Sequence, residues 1–466
     1  MTTPVLLLAL PAVIALFALL YLRAQNGLLI VAALTPLHGL LTIVPGGQAL
    51  APWKEGVLLL TLAATFVSPY RRRLPAPSYP WWPAVAAWVA MGVLSALAVS
   101  GLAGITALKI TYFYLVIPVI LWRAPFDARD RDRLVTIIMG MGVLTAVVGL
   151  AQQVVGGERL AELGYRWDEH LRTTGGILRS FSTFTTPFAF GLFVMISLIV
   201  GCAVAFADPH RLRNKVFLCA TPIMLLGMGV TIVRASYIGL AVALLWFAIH
   251  RYRALFLAFG SIAVLVPIVL VAAPSSVLAT LFSSSSLGER GDGWSQTLSS
   301  LWMHPFGQGL GATGSAASKH LGDGNPMLSD LSLHAAVQFG FMPYQPDNYY
   351  MKLAVELGPL GVWLFVLVLV CAAVSTLRAS RIMSGQDSAL ALGVSGTIVA
   401  AAIASTVATY LEIFPLDVYF WLLLGTVGCA LTQHWSLHRN LPPTSDSAPS
   451  HSVRPVVASR PTSGNS

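Results

Sequence analysis

The sequence predicts an all-α fold: a polytopic membrane bundle of about 12–13 transmembrane helices. Three observations predict it. Of 466 residues, 56% are hydrophobic and only 10% are charged, against about 25% charged in an ordinary soluble domain. Such a chain cannot cover its surface in water. The apolar residues fall in repeated runs close to the length that crosses a bilayer, where a helix satisfies its own backbone hydrogen bonds. The basic residues, in turn, recur in every second connection between those runs.

In chain order the apolar runs lie near residues 4–22, 27–44, 56–70, 81–100, 103–122, 134–155, 184–207, 216–233, 236–250, 254–272, 358–377, 388–409 and 414–432. The first lacks the basic start and small-residue cleavage site of a signal peptide, and reads as a membrane helix. Together they make a transmembrane domain over residues 1–433. It carries two long connections on one side, 156–183 and 273–357. The segment 434–466 is rich in Pro and Ser and reads as a disordered cytoplasmic tail. Cys202, Cys219, Cys371 and Cys429 all sit in apolar runs without paired spacing, so no disulfide framework or metal site is indicated.

Arg23, Arg71–Arg73, Arg123 to Arg133, Arg211 to Lys215, Arg251 with Arg253, and Arg378 with Arg381 mark the alternate connections. The positive-inside rule makes these cytoplasmic. The net charge of +9 is therefore topology and tail rather than the footprint of nucleic-acid binding.

The opposite face carries arginines against that rule, Arg179, Arg234 and Arg290 among them. Arg234 stands between two apolar runs with almost no loop. It either snorkels to the interface or holds an anionic, lipid-linked group. Arg179 precedes Ser180-Phe-Ser-Thr-Phe-Thr-Thr-Pro187, where helix capping explains the hydroxyls but not the arginine. Arg290, in Gly288-Glu-Arg-Gly-Asp-Gly-Trp294, is a solvated loop charge or a ligand for the same anion. Lys109 either snorkels or faces a polar cavity.

Gly309-Leu-Gly-Ala-Thr-Gly314 has the spacing of a dinucleotide fingerprint but no preceding buried strand. That reading is rejected, and the glycines are read as tight turns. Downstream, Asn348, Lys352 and Glu356 are spaced four apart and would share a helix face, with Asp347 at its start as a cap or as a reactive carboxylate. His334 is a loop histidine without a placed partner.

These residues, taken in order, resemble the O-antigen ligase and O-antigen polymerase superfamily over about residues 130–430. The resemblance rests on Arg179 with the Thr183-Phe-Thr-Thr-Pro187 helix start, then Arg234-Ala-Ser236, Arg290 and Trp294. It continues with His304-Pro-Phe-Gly-Gln-Gly309, then Asp347-Asn-Tyr-Tyr350 with Glu356, Gly358 and Gly361. It implies a helical membrane glycosyltransferase of the lipid-dependent (GT-C-like) type in the bacterial inner membrane, its active site facing the periplasm. The implied donor is an undecaprenyl-diphosphate-linked glycan, and the acceptor another repeat unit (polymerase) or lipid A core (ligase). No metal, cofactor or nucleotide sugar is implied, while a flippase and a chain-length regulator are the partners to expect.

The family's ligases typically show His-Asn where this chain has Asp347-Asn348, which favours a repeat-unit polymerase. On this reading Asp347 is the catalytic base, with Glu356 and His334 in reserve. Arg179, Arg234 and Arg290 bind the diphosphate, and Asn348 and Lys352 contact substrate. A small-anion transporter is the rival reading, against which stands the scarcity of mid-helix carboxylates, Asp417 being the main exception.

Overall fold

The computed structural model describes residues 14–67, 74–167, 170–174, 176–257, 305–313 and 348–439. Nearly all of them are helical. Residues 14–22 form a helical segment, followed by α1 (Gln25–Leu34), α2 (Trp53–Val67), α3 (Trp82–Ser95), α4 (Gly101–Tyr112), α5 (Val116–Arg123) and α6 (Ala128–Val155). A short α7 (Gly157–Glu162) and a two-stranded antiparallel hairpin, β1 (Thr173–Thr174) with β2 (Ile177–Leu178), occupy the 156–183 connection. Then come α8 (Pro187–Ala207), α9 (Leu212–Gly229), α10 (Arg234–His250), α11 (Tyr349–Ile382), α12 (Gly385–Ala404) and α13 (Leu416–Arg439).

Six stretches among the described residues are long and apolar enough to cross a membrane: Gly104–Arg123, Ala128–Val155, Pro187–Ala207, Tyr349–Ile382, Gly385–Ala404 and Leu416–Leu437. Two shorter apolar helices, Trp82–Ala98 and Arg234–His250, accompany them. The protein is a polytopic helical membrane bundle, as the composition requires.

Helix α8 is apolar all round and is buried on nearly every side, the pattern of a central helix. It packs against α6, α9, α10 and α12. Thr186 caps it by accepting from the Ala189 amide at 3.3 Å, and Pro187 stands in its first turn, where a missing N–H costs nothing. The start of α6 is fixed by a capping box in which Asp127 and Asp130 exchange side-chain-to-backbone bonds.

Several expected spans differ in detail. The 27–44 run is helical only over α1 and then tightens into a 3₁₀ segment, Thr35–Thr42, with Pro36 near its start. The 103–122 run is broken by a 3₁₀ turn at Phe113–Leu115. The 358–377 run begins nine residues early, at Tyr349, with a kink at Gly358 that the following Pro359 accompanies. Helix α13 continues to Arg439, so residues 434–439 belong to a helix and not to the tail. The 254–272 run from residue 258, the Arg71–Arg73 triplet and the rest of the tail lie outside the described residues.

The basic connections converge on one end of the bundle, and specific pairs hold them there. Arg23 reaches Asp127 and Asp130 at 2.9 and 2.7 Å. Arg131 grips Asp387 through two bonds of 2.8 and 2.7 Å and adds Gln433 at 2.8 Å. Arg211 and Arg213 share Asp132, Arg251 donates to Ser388, and Arg123 donates to Thr65. This network defines a basic end. The start of α11, the turn between α9 and α10, and the 156–183 connection lie at the other, called here the outward end.

Candidate functional site

At the outward end the first turns of α11 carry a fully buried ion cluster. Asn348 caps the helix, its Oδ1 accepting from the amides of Tyr350 and Met351 at 2.9 and 3.1 Å. One turn on, Lys352 is 1% exposed and Glu356 is fully buried. The Lys352 ammonium lies 2.5 Å from Glu356 Oε2 and 2.8 Å from Glu412 Oε1. The four-residue spacing places Lys352 and Glu356 on one face, as expected. Glu412, by contrast, comes from the 3₁₀ turn Tyr410–Glu412, and its only trace in the sequence is a carboxylate set among apolar residues. Buried charges persist only when paired and hydrogen-bonded.

The second oxygen of Glu356 organises the glycine-rich segment. Glu356 Oε1 accepts from the amides of Gly311 and Thr313 at 3.1 and 3.4 Å. The Gln308 and Gly309 amides donate to the Val355 and Glu356 carbonyls at 2.7 and 3.1 Å. Leu310 N–H donates to Ser95 Oγ at 3.0 Å, tying the loop to α3. Two glycines make the approach possible. Gly358 has φ +69°, and a Cβ there would stand 2.3 Å from the Pro305 carbonyl; one at Gly307 (φ +81°) would stand 2.4 Å from the Glu356 carbonyl. With one oxygen on Lys352 and the other on this loop, Glu356 holds structure together.

The arginines are placed elsewhere on the same end. Arg179 Nε donates to the Thr231 carbonyl at 3.2 Å, and Ser180 N–H donates to the Val230 carbonyl at 3.0 Å. These bonds lay the 156–183 connection along the α9–α10 turn, three residues before Arg234. Burial, and then the neighbouring Arg172 charge, lower the Arg179 guanidinium from its ordinary pKa. Its cation also faces the Phe188 ring at 5.4 Å. Within the turn, Ile232 takes φ +54°, a conformation that a β-branched side chain adopts only under constraint. Arg234 follows at the first position of α10 and is exposed. Neither Arg179 nor Arg234 has a carboxylate partner among the described residues.

The hydroxyls around Arg179 are structural. Ser180 and Ser182 donate to the α6 carbonyls of Gly149 and Thr145, and Thr183 donates to the Pro36 carbonyl. Gln152 and Gln153 of α6 answer with bonds to the backbone of residues 178–182. The connection is thereby stitched to the bundle.

Of the residues expected at the site, the structure brings Asn348, Lys352 and Glu356 to one helix start, and it bonds Arg179 to the backbone of the turn that Arg234 follows. Asp347, His334 and Arg290 lie outside the described residues. Residues 219–366 match the family model described as O-Antigen ligase. This interval holds Arg234, Lys352 and Glu356 but neither Arg179 nor Glu412. No curated protein matches the chain.

Proposed function

We propose, for a chain whose residues 219–366 are similar to the O-antigen ligase family, that it joins glycan repeat units carried on undecaprenyl diphosphate into a surface polysaccharide at the outward, periplasmic face of the inner membrane. The family match and the six apolar spans support a membrane glycan-processing function of the O-antigen ligase type. One observation carries the finer reading. Arg179 donates to the Thr231 carbonyl of the turn that Arg234 follows, and neither has a carboxylate partner among the described residues, at the end of the bundle opposite the one where Arg23, Arg131, Arg211 and Arg213 are matched to aspartates. Guanidinium groups without carboxylate partners suit an external anion, because their fork of donors fits phosphate oxygens bidentately.

The proposed step is an inverting displacement. The acceptor hydroxyl oxygen attacks the anomeric carbon, the bond from that carbon to the diphosphate oxygen breaks, and the carrier diphosphate departs with the electron pair. Arg179 and Arg234, with Arg290, stabilise the charge that develops there. The hydroxyl proton passes to Asp347, which directly precedes the α11 cap Asn348. Lys352, buried between Glu356 and Glu412, positions the helix start rather than touching substrate, which revises its expected role as a substrate contact.

A ligase, which delivers the finished glycan to lipid A core, is the second reading and is favoured by the description of the matching family. Gene deletion with complementation, followed by gel analysis of surface glycans, separates the two. Single repeat units left on their acceptor mark a polymerase. Bare lipid A core with polymer retained on the carrier marks a ligase. An unchanged glycan profile would sink both and turn attention to anion transport.

A further inference from the structure

A second constellation stands at the outward end, built mostly by the part of the chain that precedes the family match. His38 lies in the 3₁₀ segment after α1; Trp53, Lys54 and Glu55 open α2; Lys109 is in the last turn of α4; and Phe414 precedes α13. Trp53 Nε1 donates to His38 Nδ1 at 3.2 Å. Lys54 Nζ donates to the Ala51 carbonyl at 3.0 Å, stands 3.6 Å from Glu55 Oε2 and sits 4.6 Å above the Phe414 ring. Lys109 Nζ is 3.2 Å from Glu55 Oε1. The His38 ring meets Phe414 edge-on at 4.9 Å. Asp417, at the start of α13, is near enough to Lys54 to interact with its charge.

Charge decides what this cluster can hold. Two lysines stand against two carboxylates, so an anion gains little from the pair Lys54–Lys109 that Glu55 and Asp417 do not oppose. The arginine turn differs in that respect. What the cluster does offer is a set of fixed donors and acceptors beside aromatic faces. An indole is a donor only, so His38 Nδ1 accepts, and a neutral imidazole then carries its proton on Nε2 as one more donor. The lysines donate and Glu55 accepts. Trp53 and Phe414 are only partly buried, and the Lys109 side chain is 56% exposed, so the group can be reached. Hydroxyls that both donate and accept, on a ring with apolar C–H faces, are the chemistry that matches this set.

The short segment 410–417 joins the cluster to the site described above. Glu412 reaches Lys352, and two residues later Phe414 receives Lys54 and His38. We propose that His38, Trp53, Lys54, Glu55 and Lys109 form a saccharide subsite for the acceptor glycan, built by the N-terminal half of the chain. Its assignment to acceptor rather than donor rests on the proposed transfer reaction. The diphosphate, and with it the donor, is held at the arginine turn.

The test uses the purified full chain in lipid nanodiscs and a repeat-unit oligosaccharide freed from its carrier by mild acid, titrated calorimetrically. Lys109→Ala, at an exposed position that leaves folding intact, is expected to weaken binding about tenfold, or 1.4 kcal/mol. Lys109→Arg should retain most of the affinity, and Trp53→Leu should lower it further. In a transfer assay Lys109→Ala raises the KM for the acceptor while kcat stays within about twofold, the signature of lost ground-state binding. Equal affinity in wild type and Lys109→Ala overturns the subsite. So does tight binding of inorganic pyrophosphate that Lys109→Ala removes, because that makes the cluster an anion site. A wild-type protein that polymerises lipid-linked units yet binds no free oligosaccharide overturns this inference and leaves the proposed function standing. Loss of polymerisation with glycan binding retained does the reverse.

Discussion

The ion pairs described at the two ends of this bundle are built from different residues, arginine with aspartate at the basic end and lysine with glutamate at the outward end. At the basic end Arg23, Arg131, Arg211 and Arg213 are each matched to an aspartate, and Arg131 makes a bidentate grip on Asp387 while only 5% exposed. At the outward end Arg179 and Arg234 have no carboxylate partner among the described residues, and the charges that are matched there are Lys352 with Glu356 and Glu412, and Lys54 and Lys109 with Glu55. Matched charge closes a structure, because each partner removes the other's need for water. On the proposed function, Arg179 and Arg234 keep donors for the carrier diphosphate.

The sharpest way to break the comparison is at Lys352. Lys352→Ala leaves two buried carboxylates facing each other, and a loss of about 3–5 kcal/mol is expected, read as a lower unfolding temperature in detergent. Restoring charge balance with Lys352→Met, Glu356→Gln and Glu412→Gln together should recover much of it. Next in size is Arg234→Ala, which should lower glycan transfer about 100- to 1,000-fold in isolated membranes with unchanged protein level. Arg234→Lys, charged but without the planar fork, should fall between the two. Near-normal transfer by Arg234→Ala would remove the outward arginines from the reaction.

The basic end should behave the other way. Arg131→Ala, which loses its bonds to Asp387, Gln433 and the Phe126 carbonyl, should cost about 2 kcal/mol of stability while turnover per folded molecule holds. Arg211→Ala should cost least, about 0.2–1 kcal/mol, since Arg213 continues to hold Asp132. A large loss of turnover in either basic-end variant, measured per folded molecule, would erase the distinction drawn between the two ends.

Much of this was legible before any coordinates. The apolar runs identified the class, and the alternation of arginines predicted which connections gather at one end; Arg23, Arg123, Arg131, Arg211 and Arg251 meet there as expected. The four-residue spacing of Asn348, Lys352 and Glu356 predicted a shared helix start. The role of Glu356 was not legible, because spacing cannot say that Gly311 and Thr313 fold back from 40 and more residues away to occupy its second oxygen. Glu412 was missed for the same reason. It follows α12 in the chain and meets Lys352 only once α11, α12 and α13 have packed.

The sequence by itself determined the helical membrane class and the polarity of the bundle, since each depends on composition or on local period. Tertiary structure alone decided which charges are matched, where the 307–313 segment closes on α11, how His38 and Lys54 come to face Phe414, and how Lys109 reaches Glu55. The physical reason is range. Helix formation and membrane insertion are settled within about 20 residues. The pairing of buried charges depends on contacts between segments hundreds of positions apart, as Arg131 with Gln433 shows.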